Sequence, residues 1–404
     1  MAFAVGMCAL FYGFVSGNIP IQAMVHRMSL ATESWPIMAV PFFVLMGNAL
    51  NQGRSGKTLM DLANSLVGSI WGGLASVSIV VSMFFGGCSG SAVADASSVG
   101  TVLIPEMTRR GYGKGYAAAV NAASSTIGII IPPSIPMILY GWITEVSIRD
   151  MFLAGLIPGI LVGGFQMVVA AWLGYKRKYY IAERPSRQEI IRQFIKSIPA
   201  LITPILVMGG ILAGVYTTTE AAIFGALYVI LIEFFIYKGL SLGQLYRIIV
   251  DSAKMTGVVL FLIATSFMLT YVIMISRVPV VLSNELQAIL PNGTVALLAI
   301  AGVLLITGCF LDLAPSLLIF TPILYPLALK FGVNPVQLGV VIVMVLAVGL
   351  FTPPVGQTLY ISALIAKTPI ESVSRDIIWF LVPIMIVVLA VIFLPHVTMW
   401  PAGL

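Results

Sequence analysis

The chain has 404 residues, 59% of them hydrophobic and only 9% charged, with a mean hydropathy of +1.06. Soluble domains carry roughly 25% charge, so no soluble fold could hide this much apolar surface; the long apolar runs also exclude a barrel, whose strands are short and alternating. The formal charge of +6 is no nucleic-acid footprint, because it concentrates in Lys176, Arg177, Lys178, Arg184, Arg187, Arg192 and Lys196, between two apolar halves. The positive-inside rule puts that stretch in the cytoplasm.

Residues 1–17 are apolar but lack a charged leader and a small-residue cleavage site, so they read as a first span missing its beginning, not as a signal peptide. Further spans are expected near 35–51, 115–142, 151–175, 197–215, 219–238, 256–276, 335–366 and 376–400. Pro132-Pro133 and Pro353-Pro354 break two of them. Residues 70–109 and 293–330 do not fit single spans. Each is cut by a Gly/Ser or Gly/Asp/Pro interruption into halves too short to cross, which suits a helical hairpin that returns to its own side. Thr217 and Glu220 have capping-box spacing at a helix start. Cys8, Cys88 and Cys309, like His26 and His396, have no disulfide or metal spacing.

Two stretches repeat one design. GGCSGSAVADASSVGTVLIPEM (Gly86–Met107) precedes GIIIPPSIPMILYG (Gly128–Gly141), and GCFLDLAPSLLIFTPILYPLA (Gly308–Ala328) precedes GLFTPPVGQTLYIS (Gly349–Ser362). Asp95 and Asp312 stand 217 positions apart, and the proline doublets 221. The first hairpin is followed by the basic turn Arg109-Arg110-Gly-Tyr-Gly-Lys114, the second by a turn with only Lys330 charged. The flanks therefore face opposite sides, as in inverted-topology repeats, and paired broken segments point to a transporter's binding site.

Broken helices free backbone groups that protein, water or a ligand must satisfy. Carbonyls, hydroxyls and a carboxylate suit a hard cation such as sodium. The candidate oxygens are on Ser89, Ser91, Asp95, Ser124, Ser125, Thr126 and Ser134 in the first half, and on Asp312, Ser316, Thr352, Thr358 and the carbonyls around Pro353 in the second. An ionisable group at membrane depth is a functional candidate by default; the bland alternatives are helix-start charges for the two Asp residues and close helix packing for the serines. Gly86, Gly87 and Gly90 permit a tight turn, after which Ser89 or Ser91 fits a helix N-cap.

These motifs, with AVPFFVLMGNALNQG (Ala39–Gly53), SIRDMFLAGLIPG (Ser147–Gly159) and GVYTTTEAAIFGALY (Gly214–Tyr228), run in order along nearly the whole chain. Together they resemble the large membrane subunit of tripartite ATP-independent periplasmic (TRAP) transporters, in the ion-transporter superfamily. The resemblance implies an all-α polytopic protein of the bacterial inner membrane, with two re-entrant hairpins and two broken helices in inverted repeats, working by an elevator motion. It implies sodium-coupled import of an organic anion such as a C4-dicarboxylate or sugar acid, with no cofactor besides sodium as coupling ion. The implied partners are a periplasmic binding protein that delivers the solute and a separate four-span membrane subunit. Sodium would be held by Ser89, Gly90 and Ser91 with Ile131, Pro132 and Pro133, and by Gly308 and Asp312 with Thr352, Pro353 and Pro354. Substrate would lie between, against Ser91, Asp95, Ser134, Ala314, Pro315, Ser316, Gly356 and Gln357.

The implied organisation is scaffold spans over 1–69, a first transport repeat over 70–142, and scaffold spans over 143–255 that include the basic linker 174–197. A scaffold span and connecting segment follow over 256–292, then a second transport repeat over 293–366 and a C-terminal span over 367–404. One alternative is a stand-alone sodium/dicarboxylate symporter of the same superfamily. An intramembrane aspartyl protease would need two close carboxylates, and neither Asp95 nor Asp312 sits in a Gly-x-Gly-Asp context. A channel is the remaining alternative, since broken helices also line pores.

Overall fold

The computed structural model describes residues 2–16, 19–179, 183–287 and 290–403, leaving the side chains of Cys88, Ser89, Ser283, Gln287, Pro401 and Ala402 aside. All regular structure among these residues is helical. The chain begins with α1 (Ala2–Ser16), α2 (Ile21–Thr32), α3 (Ala39–Gln52) and α4 (Arg54–Val67). The first hairpin is α5 (Gly73–Ser89) and α6 (Ala92–Arg109), and the first broken helix α7 (Lys114–Ser124) and α8 (Ile135–Thr144). Then come α9 (Ile148–Lys176), α10 (Arg187–Leu212), α11 (Thr218–Leu231), α12 (Leu242–Ile275) and α13 (Val278–Gln287). The second hairpin is α14 (Gly293–Gly308) and α15 (Leu313–Lys330), the second broken helix α16 (Pro335–Gly349) and α17 (Gln357–Ala366), followed by α18 (Ile370–Phe393) and α19 (His396–Ala402).

Among the described residues six helices are long and apolar enough to cross a membrane, counting α11 with its continuation to Ile236, and α2 with α3 makes a seventh if their 54° bend is counted within one span. The hairpin arm α5 and both halves of each interrupted span are shorter, as broken segments must be. Helix α4 differs in kind: Leu59, Leu62 and Ala63 are buried on one side, while Arg54, Lys57, Asp61 and Asn64 face out. That pattern belongs to a helix lying at an interface. Helix α10 starts ten residues inside the expected basic linker 174–197, because the Ser186 hydroxyl accepts the Glu189 N–H at 3.2 Å and caps it. Charge at 187–196 argues against membrane there, but not against helix.

Packing sorts the helices into two groups. In one, α5 packs on α7, α6 on α17, α7 on α18 and α8 on α9. Exchanging α5–α9 for α14–α18 turns each of these into another observed pair: α14 on α16, α15 on α8, α16 on α9, α17 on α18. Helix α9, grouped with the scaffold in the sequence reading, thus packs on the broken helices, as α18 does. In the other group α12 packs on α1, α2 and α3, while α11 packs on α3 and α10. The groups meet where α3 touches α5 and α6, α4 and α10 touch α5, and α12 and α13 touch α15.

Candidate functional site

Each hairpin tip rests on a helix break. At the first, Gly90 has φ +57° and so close an approach that a side chain would come within 3.1 Å of the Pro133 carbonyl and the Ile135 nitrogen. Ser91 then caps α6 by accepting the Ala94 N–H, as the sequence suggests, and Ser134 caps α8 by accepting from Met137. At the second, the Cys309 carbonyl accepts the Val355 N–H at 3.2 Å, and the backbones of Gly308 and Gly349 touch. Asp312 caps α15, its carboxylate accepting the Leu313 N–H at 2.8 Å. The first break is buried, with Pro132 and Pro133 enclosed, whereas Pro354 is exposed. The pairs expected to come together, Gly90 with Pro133 and Gly308–Asp312 with the Thr352–Pro354 break, are adjacent. The Ser89 side chain lies outside the described residues.

Between the tips is a cavity of about 270 Å³. The first turns of four helices line it: Ala92 and Val93 of α6, Ile135 and Pro136 of α8, Leu313 and Ala314 of α15, and Gln357 of α17. Ser91, Asp312, Ile129 and Leu350 complete the hairpin and broken-helix side; Val44 of α3 and Met255, Val258, Val259 and Leu262 of α12 close the other. No Lys, Arg or His contributes to the wall. Of the residues expected at a substrate, Ser91, Ala314 and Gln357 line the cavity; Asp95, Ser134, Pro315, Ser316 and Gly356 are buried outside its lining. A larger cavity of about 510 Å³ lies between the α8–α9 and α10–α11 turns, lined by Trp142, Glu145, Arg149 and Tyr216. No hairpin tip reaches it.

Asp95 sits one turn into α6, fully buried, with neither carboxylate oxygen hydrogen-bonded. Ser82 faces it from α5 without reaching bonding geometry, and the Ser82, Ser124 and Ser78 hydroxyls follow one another at 3.3 Å. Burying an ionisable group without a partner is costly, which makes Asp95 a functional candidate. Asn121, which the sequence reading passed over, ties the halves together: its amide donates to the Ala96 carbonyl at 2.9 Å and to the Ser362 hydroxyl at 2.8 Å. The signal available was an amide inside the Ala-rich run of α7. Glu233 was also missed. Its buried carboxylate accepts the N–H groups of Arg54 at 2.9 Å and Ser55 at 2.7 Å, capping α4 from the end of α11. Among the described residues no His/Cys/Asp/Glu group could hold a metal in a side-chain cluster.

Residues 1–397 match the family described as "Tripartite ATP-independent periplasmic transporter, DctM component". The chain is 31% identical over 379 residues to the C4-dicarboxylate TRAP transporter large permease protein DctM of Pseudomonas aeruginosa, covering 94% of this chain and 89% of that protein. It is 33% identical over 399 residues to the sialic acid TRAP transporter large permease protein SiaM of Vibrio cholerae, covering 99% and 93%. Its fold is similar to that of the Alcanivorax borkumensis YdaH transporter, with a TM-score of 0.66 at 14% identity, over 95% of this chain and 89% of that one.

Proposed function

The chain belongs to the DctM component family of tripartite ATP-independent periplasmic transporters, and from that premise we propose that it carries a small organic anion inward across the bacterial inner membrane, driven by sodium. It is a permease and not an enzyme. The observation that carries the anion reading is the convergence of four helix N-termini on one cavity without a cationic side chain. Each N-terminus presents unpaired N–H groups and roughly half a positive charge. Carboxylates are the substrate chemistry of the relatives named for C4-dicarboxylate and sialic acid.

Sodium fits the second half of the proposal. Proline doublets remove the helical donors of the Gly128, Ile129, Gly349 and Leu350 carbonyls; Ser134, Thr352 and Thr358 bond to the last three, and Asp312 adds a carboxylate at the cavity edge. A cation there would offset the repulsion between that carboxylate and an anionic substrate. The two exchangeable packing sets support inverted repeats. Their separation from the α3, α10, α11 and α12 group supports a moving transport part on a fixed scaffold. A periplasmic binding protein would deliver solute on the face opposite the basic linker, and a four-span subunit would brace the scaffold.

The test is uptake in proteoliposomes that hold all three components. An inward sodium gradient drives accumulation on this account; equal accumulation with potassium replacing external sodium would remove the coupling.

A further inference from the structure

The cavity has two chemically different walls. Among the residues that line it, only Ser91, Asp312 and Gln357 carry a side chain able to hydrogen-bond. All three belong to the tips and breaks. The opposite wall is Met255, Val258, Val259 and Leu262, spaced i, i+3, i+4 and i+7, so one face of α12 supplies it. Of the polar neighbours on α12, Asp251 pairs with Lys254 at 3.7 Å, the Ser252 hydroxyl accepts from the Asn48 amide at 2.9 Å, and Thr256 is buried outside the lining. Val258 is 69% exposed, an apolar surface left bare in the opening between the two groups.

A substrate in this space meets hydrogen-bonding groups at one end and aliphatic carbon along its body. A polyhydroxylated body would lose water from its hydroxyls against α12 without gaining partners, and each such loss is unfavourable. An aliphatic body would gain by leaving water. Resting on the anion reading given above, we propose that the transported anion is a carboxylate with an aliphatic body, and that the Met255–Val258–Val259–Leu262 face selects it over hydroxylated acids of the same size.

The test uses the purified complex of this chain with its small membrane subunit, in nanodiscs with sodium chloride, titrated with two monocarboxylates of matched size. The probes are 4-methyl-2-oxopentanoate and threonate. At least tenfold tighter binding of the branched oxo acid is expected, and the Val258→Ser/Val259→Ser double variant should erase most of that preference while still binding threonate. Equal or tighter binding of threonate by the unmodified complex would overturn the selection by α12 and leave the anion site standing. A preference that survives intact in the double variant would also overturn it. Binding of neither probe overturns the inference alone, since sodium-driven uptake by the three-part system is measured independently and decides the functional reading.

Discussion

Asp312 and Asp95 are carboxylates in similar stretches of sequence, yet they differ in surroundings. Asp312 caps a helix and lines the cavity, while Asp95 is buried outside the lining with no hydrogen bond to its carboxylate. The distinction between a cap and a charge can be drawn at Asp312 with one substitution, because Asn caps a helix about as well as Asp. Asp312→Asn is expected to assemble with its partner and melt within a few degrees of the parent, while sodium-driven uptake falls at least tenfold. Uptake at the parent rate would make Asp312 a cap and nothing more. The sequence marked both residues from their membrane-grade surroundings. The resemblance gave Asp312 to sodium and Asp95 to substrate; the burial of Asp95 outside the cavity lining was not legible, because the way α6 is set against α5 follows from how Gly90 turns the chain onto Pro133.

Between elements, short-range signals read well and long-range ones did not. The Thr217–Glu220 capping box forms as its spacing predicts, and Ser91 caps α6. Both depend on residues three apart. The breaks at the proline doublets are likewise local consequences of missing donors. The Glu233 cap on α4 joins residues 179 positions apart, so no window of sequence contains it. The face of α12 that lines the cavity was hidden for another reason: that helix is apolar around most of its circumference, leaving no periodic contrast to read. The Glu233 clamp makes a direct prediction. Glu233→Ala leaves the N–H groups of Arg54 and Ser55 unpaired and should cost about 2 kcal/mol, seen as a lower melting temperature and faster proteolysis near Arg54. Unchanged melting and cleavage would mean that water satisfies those groups fully.

Over the whole molecule, composition and charge placed the chain in a membrane, and the paired breaks come together around one cavity. The geometry then relocated several expected contact residues, since Ser134, Pro315 and Ser316 pack inward from the helix starts they belong to. Opposite orientation of the two halves predicts that Arg109→Cys and Leu329→Cys react with impermeant maleimides from opposite faces of sealed vesicles; labelling of both from one face would end the inverted-repeat account. The central claim is that substrate occupies the cavity where four helix starts meet, and Ala314 is the small residue at its edge that a large side chain would fill. The direct measurement is sodium-driven uptake by the Ala314→Trp protein in proteoliposomes with its partners. Uptake at background, with assembly preserved on size-exclusion chromatography, is the predicted result; uptake within twofold of the parent would contradict the account.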